Sequence, residues 1–175
     1  MPPVQDLPGS IDMTDQTGDN DHAHLDLDHD DQSIPLDDAT ILLVDDNIQN
    51  LELMQAYLET LPCNLLTAVD GIEAVEIIER EKPELVLLDV MMPRMSGFEV
   101  CQAIKTNPIL RETVVIMVTA LHEVGDYERA VECGTDDFLT KPVNKLELLT
   151  RVRSLLRVRL LKKKLDALMQ REEGG

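Results

Sequence analysis

Residues 83 to 97 read PELVLLDVMMPRMSG, and this stretch decides the fold. Leu85 to Leu88 form an apolar run that ends on a lone carboxylate, Asp89, followed by more apolar residues, a proline and a glycine. A short apolar run bounded by turn formers reads as a strand buried on both faces. An acid at the rim of such a strand is costly unless something cationic meets it there. The rest of the chain must supply that cation.

Working outward, the same pattern recurs. Upstream, TILLVDD (40–46) is an apolar run stopped by acids, and CNLLTAV (63–69) is a second strand. Between them Leu51, Met54, Leu58 and Leu61 fall at helical spacing behind Asn47, a plausible N-cap. DGIEAVEIIEREK (70–82) is a helix whose stripe is Ala74, Val75 and Ile78. Downstream come a helix over SGFEVCQAIKTN (96–107), with Pro108 just beyond it, and a strand over TVVIMVTA (113–120). A helix over EVGDYERAVECG (123–134), closed by Gly134, and a short strand over DDFLTK (136–141) follow. A last helix starts near Asn144.

Five strands alternating with five helices imply an α/β, doubly wound (βα)5 three-layer sandwich. The expected sheet is parallel and five-stranded, in the flavodoxin-like order 2-1-3-4-5, with an extended C-terminal helix. Ligands of such folds sit at the carboxyl ends of the strands. There the first strand offers Asp45 and Asp46, the third Asp89, the fourth Thr119 and the fifth Lys141. Clustered carboxylates suit a hard divalent cation such as Mg²⁺, which keeps waters and leaves room for phosphate oxygens. Lys141 is the second cation. The set is what phosphoryl transfer to a carboxylate requires: Asp89 as acceptor, metal and ammonium to neutralise charge, and a hydroxyl to bond a phosphoryl oxygen.

On LLVDDN (42–47), LLDVMMPRMSG (87–97), VTA (118–120) and FLTKP (138–142), the chain resembles the receiver domains of two-component response regulators, in their single-domain, chemotaxis-receiver-like form. The resemblance covers roughly residues 40 to 157. It implies that Asp89 accepts phosphate from a phosphohistidine of a sensor histidine kinase or histidine phosphotransfer protein. It implies Mg²⁺ on Asp45, Asp46, Asp89 and the backbone carbonyl of Met91. Thr119 and Phe138 match the family's switch pair, and Lys141 precedes Pro142 as in a bond that is usually cis. The implied output is the surface of the fourth helix, fifth strand and fifth helix, read by a downstream effector protein.

Met91 stands two positions after the acceptor, where aspartyl-phosphate hydrolases carry a second aspartate, which argues against substrate turnover. Met91 and Leu121 also offer no group to orient a water, so self-dephosphorylation is expected to be slow. Met91, Met92 and Met95 otherwise read as packing of the loop. A flavodoxin-type cofactor site would want a Ser/Thr/Gly-rich loop where this chain has DDNIQN. A docking module that is never phosphorylated is the remaining alternative.

The formal charge of −18 is unevenly spread: residues 1 to 39 hold eleven Asp and no Lys or Arg. Residues 1–38 are expected to be a disordered acidic tail. Its His22, His24 and His29 read as part of a solvating segment before they read as a chelate. The receiver is placed at 39–157. No apolar run reaches a membrane span and no secretory signal is visible, which points to the cytoplasm. Cys63, Cys101 and Cys133 read as reduced core residues. In the last helix, Leu146, Leu149, Val152 and Leu156 are expected to pack on the sheet. Beyond them, in 158–175, Val158, Leu161, Leu165 and Leu168 keep a 3-4-3 spacing. Residues 151 to 164 carry seven Arg or Lys and no acid. A solvated face is the plain reading, with a homodimer next and nucleic acid last.

Overall fold

The computed structural model describes residues 34–120 and 124–173. The acidic segment to residue 33, with His22, His24 and His29, lies outside the described residues, as do Leu121, Gly174 and Gly175. Elements alternate as β1 (Thr40–Val44), α1 (Ile48–Leu58), β2 (Asn64–Ala68), α2 (Gly71–Glu81), β3 (Leu85–Asp89), α3 (Gly97–Thr106), β4 (Val114–Thr119), α4 (Val124–Cys133), β5 (Asp137–Thr140) and α5 (Lys145–Glu173). The sheet is parallel in the order β2-β1-β3-β4-β5. Both follow the reading of the sequence, and the strand and helix bounds shift only at their ends.

Alternation along the strands divides the core in two. Ile41, Leu43, Leu85, Leu87, Ile116 and Val118 face Leu51, Met54 and Leu58 of α1 and Leu148, Val152 and Leu156 of α5. Leu42, Val44, Val86, Leu88, Val115 and Met117 face Ala74 and Ile78 of α2, Phe98, Cys101 and Ile104 of α3 and Ala130 of α4. The three central strands are buried along their lengths apart from Thr40. Truncating one of their leucines, such as Leu87, to alanine costs about 2–5 kcal/mol.

One packing expectation fails. Leu146 is largely exposed, and Leu148 stands in its place with Val152 and Leu156. The buried residues are four apart along one line of the helix, and Leu149, Leu155 and Leu160 beside that line are half-buried against the same cluster. Leu36, ahead of β1, packs against the same cluster.

Local chemistry fixes the helix starts that shape the site. Asn47 caps α1 by accepting the amide of Gln49, and Asp70 caps α2 through the amide of Glu73. Ser96 and Glu99 form a reciprocal capping box at α3. Gly134, at φ +84°, closes α4 in a left-handed turn that glycine adopts without strain.

Candidate functional site at the carboxyl edge

Each central strand of the sheet, β1, β3 and β4, ends on or directly before a residue with chemistry to offer. Asp45 follows β1 directly and is almost wholly buried. It accepts the Asn47 amide on Oδ1 at 2.8 Å, and on Oδ2 the Asn50 side-chain amide at 3.0 Å and the Lys141 ammonium at 2.9 Å. Three donors hold this carboxylate in one orientation. Asp46 beside it is exposed. Asp89, the last residue of β3, is also buried, and its Oδ1 lies 3.2 Å from Lys141 Nζ and 3.4 Å from the Met91 amide. Both contacts fall on Oδ1, so Oδ2 has no such partner among the described residues.

Lys141 reaches this point because β5 ends beside β4, where its amide donates to the Thr119 carbonyl at 2.9 Å. The Lys141–Pro142 bond is cis. One ammonium thus serves two buried carboxylates, with a third acid at the rim. Carboxylate oxygens of Asp45, Asp46 and Asp89 come within 4.8 Å of one another. They line a cleft of about 310 Å³ with Asn47, Asn50, Met91, Ala120 and Lys141. A second, more apolar cleft of about 390 Å³ adjoins it, sharing Asp45, Asn50 and Lys141 and adding Leu53, Met54, Val118, Pro142 and Val143.

The electrostatics show which effect wins. Burial, and then the Asp45 charge, push the Asp89 carboxyl up to about 6 despite the nearby ammonium. Burial alone would lower Lys141, but its hydrogen bond to Asp45 and the charges of Asp89 and Asp45 outweigh it and raise the group. The cluster therefore carries more negative charge than it can neutralise. All its side-chain donors are carboxylate oxygens, so the residues fit a hard divalent cation.

Thr119, the last residue of β4, is buried at the same edge, one step past the register partner of Asp89. It is not among the residues lining the cleft, whereas Ala120 is. Phe138 is half-buried and packs against the core on the side of α2, α3 and α4. Met91 is exposed. The loop between Asp89 and α3 is closed by Gly97, whose amide donates to the Val90 carbonyl at 2.9 Å. A Cβ there would sit 2.3 Å from the Asp89 carbonyl oxygen, so only glycine permits this approach. Arg94 of the loop, at positive φ, pairs with Asp70.

Asn50 escapes a reading of the sequence. It looks like one more polar residue in the first turn of α1, and only the turn between strand and helix brings it to Asp45. The cysteines are free, and burial raises the Cys101 thiol, in keeping with reduced core residues.

Residues 41–153 match the family described as Response regulator receiver domain. The chain is 44% identical over 137 residues to the response regulator PleD of Caulobacter vibrioides, covering 78% of this chain and 30% of that protein. Among solved structures, a signal receiver domain from Vibrio parahaemolyticus superposes with a TM-score of 0.69 at 34% identity, over 73% of this chain and 97% of that one. The signal receiver domain of a signal transduction histidine kinase from Syntrophus aciditrophicus gives 0.64 at 36% identity, over 67% and 89%. The chain thus spans nearly the whole of the solved receivers but about a third of PleD.

Proposed function

The chain belongs to the response regulator receiver family, and from that premise we propose that Asp89 takes a phosphoryl group from a phosphohistidine of a sensor histidine kinase or histidine phosphotransfer protein. Receiver domains are signalling modules, not enzymes that turn over a separate substrate. The observation that carries the reading is the Lys141 ammonium, set between two buried acids whose combined charge it does not cancel.

An Asp89 carboxylate oxygen attacks phosphorus, the bond from phosphorus to the donor's imidazole nitrogen breaks, and its electron pair leaves with the imidazole. Lys141 moves its charge toward the phosphoryl oxygens, and Asp45 stays in place because three donors fix it. The Thr119 hydroxyl turns to bond a phosphoryl oxygen, and Phe138 repacks into the space it leaves. Asp45, Asp46 and Asp89, with the main-chain carbonyl of Met91, would hold Mg²⁺, which when bound offsets the charge of the acids and of the incoming phosphoryl group.

The output is a population shift at the surface of α4, β5 and α5, read by a downstream effector protein. The setting we infer is the cytoplasm; among the described residues no helix is long and apolar enough to cross a membrane. Because Met91 has no acid or amide to orient an attacking water, the aspartyl phosphate lasts for many minutes. A lifetime of seconds, measured on purified protein with Mg²⁺, would contradict that detail.

The test is intact mass after treatment with acetyl phosphate and Mg²⁺. The wild type should gain one phosphoryl group and Asp89→Asn none. An adduct on both, or on neither, would remove the proposal.

A further inference from the structure

Past Leu156 the last helix has two faces with different fates. Lys163 donates to Glu84 at 2.6 Å and Lys162 pairs with Glu112, so one side of the helix stays fastened to the domain beyond its buried stripe. At the α-helical turn, Val158, Leu161, Leu165 and Leu168 fall on nearly the opposite side from Leu148, Val152, Leu156 and Lys163. All four of these outward residues are about half exposed or more, in a row with the neighbouring Met169. A stripe of this spacing on an otherwise charged helix suits a second helix laid along it.

The flanks decide which helix. With Val158 and Leu165 at a and with Leu161 and Leu168 at d, the g positions are Arg157, Lys164 and Arg171. The e positions are Lys162 and Met169. A parallel second copy would set Lys164 against Met169, with no acid to meet it, and an antiparallel copy would oppose the cationic g rows, so self-pairing gains no charge attraction in either sense. A helix with acids at those positions meets attraction along the same row. We infer that this outward face of α5 is a docking surface for an acidic amphipathic helix of another protein. The surface is about two heptads long, so the contact is reversible, and it weakens with salt. It is separate from the phosphoacceptor chemistry.

The test uses the full chain and two synthetic peptides with leucine at a and d, one with glutamate and one with lysine at e and g. Binding is followed by fluorescence anisotropy. The glutamate peptide should bind and the lysine peptide should not. Leu161→Asp with Leu165→Asp, both at exposed positions, should weaken binding at least about tenfold while leaving the thermal melt unchanged. Lys164→Glu with Arg171→Glu should reverse the preference between the peptides, a result that simple hydrophobic sticking would not give. Asp89→Asn should bind as the wild type does, which keeps this outcome distinct from that of the phosphoryl reading. Sedimentation should show a monomer at the same concentrations. Equal binding of both peptides would overturn the inference. So would self-association abolished by the Leu161→Asp pair, or a preference for phosphatidylserine vesicles over the acidic peptide.

Discussion

Just ahead of β3 stands Glu84 and at its carboxyl end Asp89, two acids at opposite ends of one strand and both almost wholly buried. Glu84 is closed. One oxygen accepts the Thr40 amide at 2.8 Å and the other meets Lys163 at 2.6 Å, so both lone-pair sets are engaged and the charge has a cation to itself. Asp89 is open. It shares Lys141 with Asp45, both of its contacts fall on one oxygen, and it borders a cleft beside exposed Asp46. Buried acids look alike in a sequence; the difference between scaffold and site is whether the charge around them balances. At the amino end it does, and the acid ties α5 to β1. At the carboxyl end it does not, which favours a visiting cation.

The sharpest way to break this contrast is to neutralise each acid in turn. Asp89→Asn should abolish phosphoryl uptake while raising stability by about 1–3 kcal/mol in urea melts without metal, because it removes a buried charge that has no cation of its own. A loss of stability instead would mean that the site is balanced after all. Removing the shared cation comes next. Lys141→Met should slow phosphorylation by acetyl phosphate about 100-fold or more, as expected for a lost charge-stabilising group, and should lower stability by about 1–3 kcal/mol. Stopped-flow and melting curves would read the two effects separately.

The pH dependence sharpens the comparison further. An acid held at about 6 when folded keeps its proton where the unfolded chain, near 4, has released it. Asp89 therefore contributes stability at low pH that is lost as pH rises from about 4 through about 6, and Mg²⁺ should flatten this slope. Melts across that window, with and without Mg²⁺ and in Asp89→Asn, would show it; an unchanged slope in the variant would assign the effect elsewhere. The smallest effect belongs to the closed end. Glu84→Gln should cost about 1–2 kcal/mol, since Lys163 is partly exposed, and leave phosphoryl uptake at the wild-type rate.

The fold was legible because the central strands are apolar on both faces and the starts of α1, α2, α3 and α5 carry local signals in Asn47, Asp70, Ser96 and Asn144. That Asp45, Asp46, Asp89, Thr119 and Lys141 stand at or just past strand ends on one edge was legible because strand ends locate themselves once the sheet order is known. Contacts that depend on distance along the chain were not. Glu84 reads as a polar residue at the start of a strand until α5 brings Lys163 to it. Arg151 reads as one of a row of bases, yet its guanidinium holds both carboxylate oxygens of Asp137 at 2.7 Å and also Glu147. Leu146 fits the stripe by spacing, but the buried line of α5 runs through Leu148, Val152 and Leu156 instead.

The central claim is that the phosphoryl group lands on Asp89 itself, and borohydride trapping reads that residue directly. Reduction of the aspartyl phosphate followed by peptide sequencing should place homoserine at position 89 and nowhere else. Homoserine at Asp45 or Asp46, or none after full exposure to acetyl phosphate and Mg²⁺, would contradict the account.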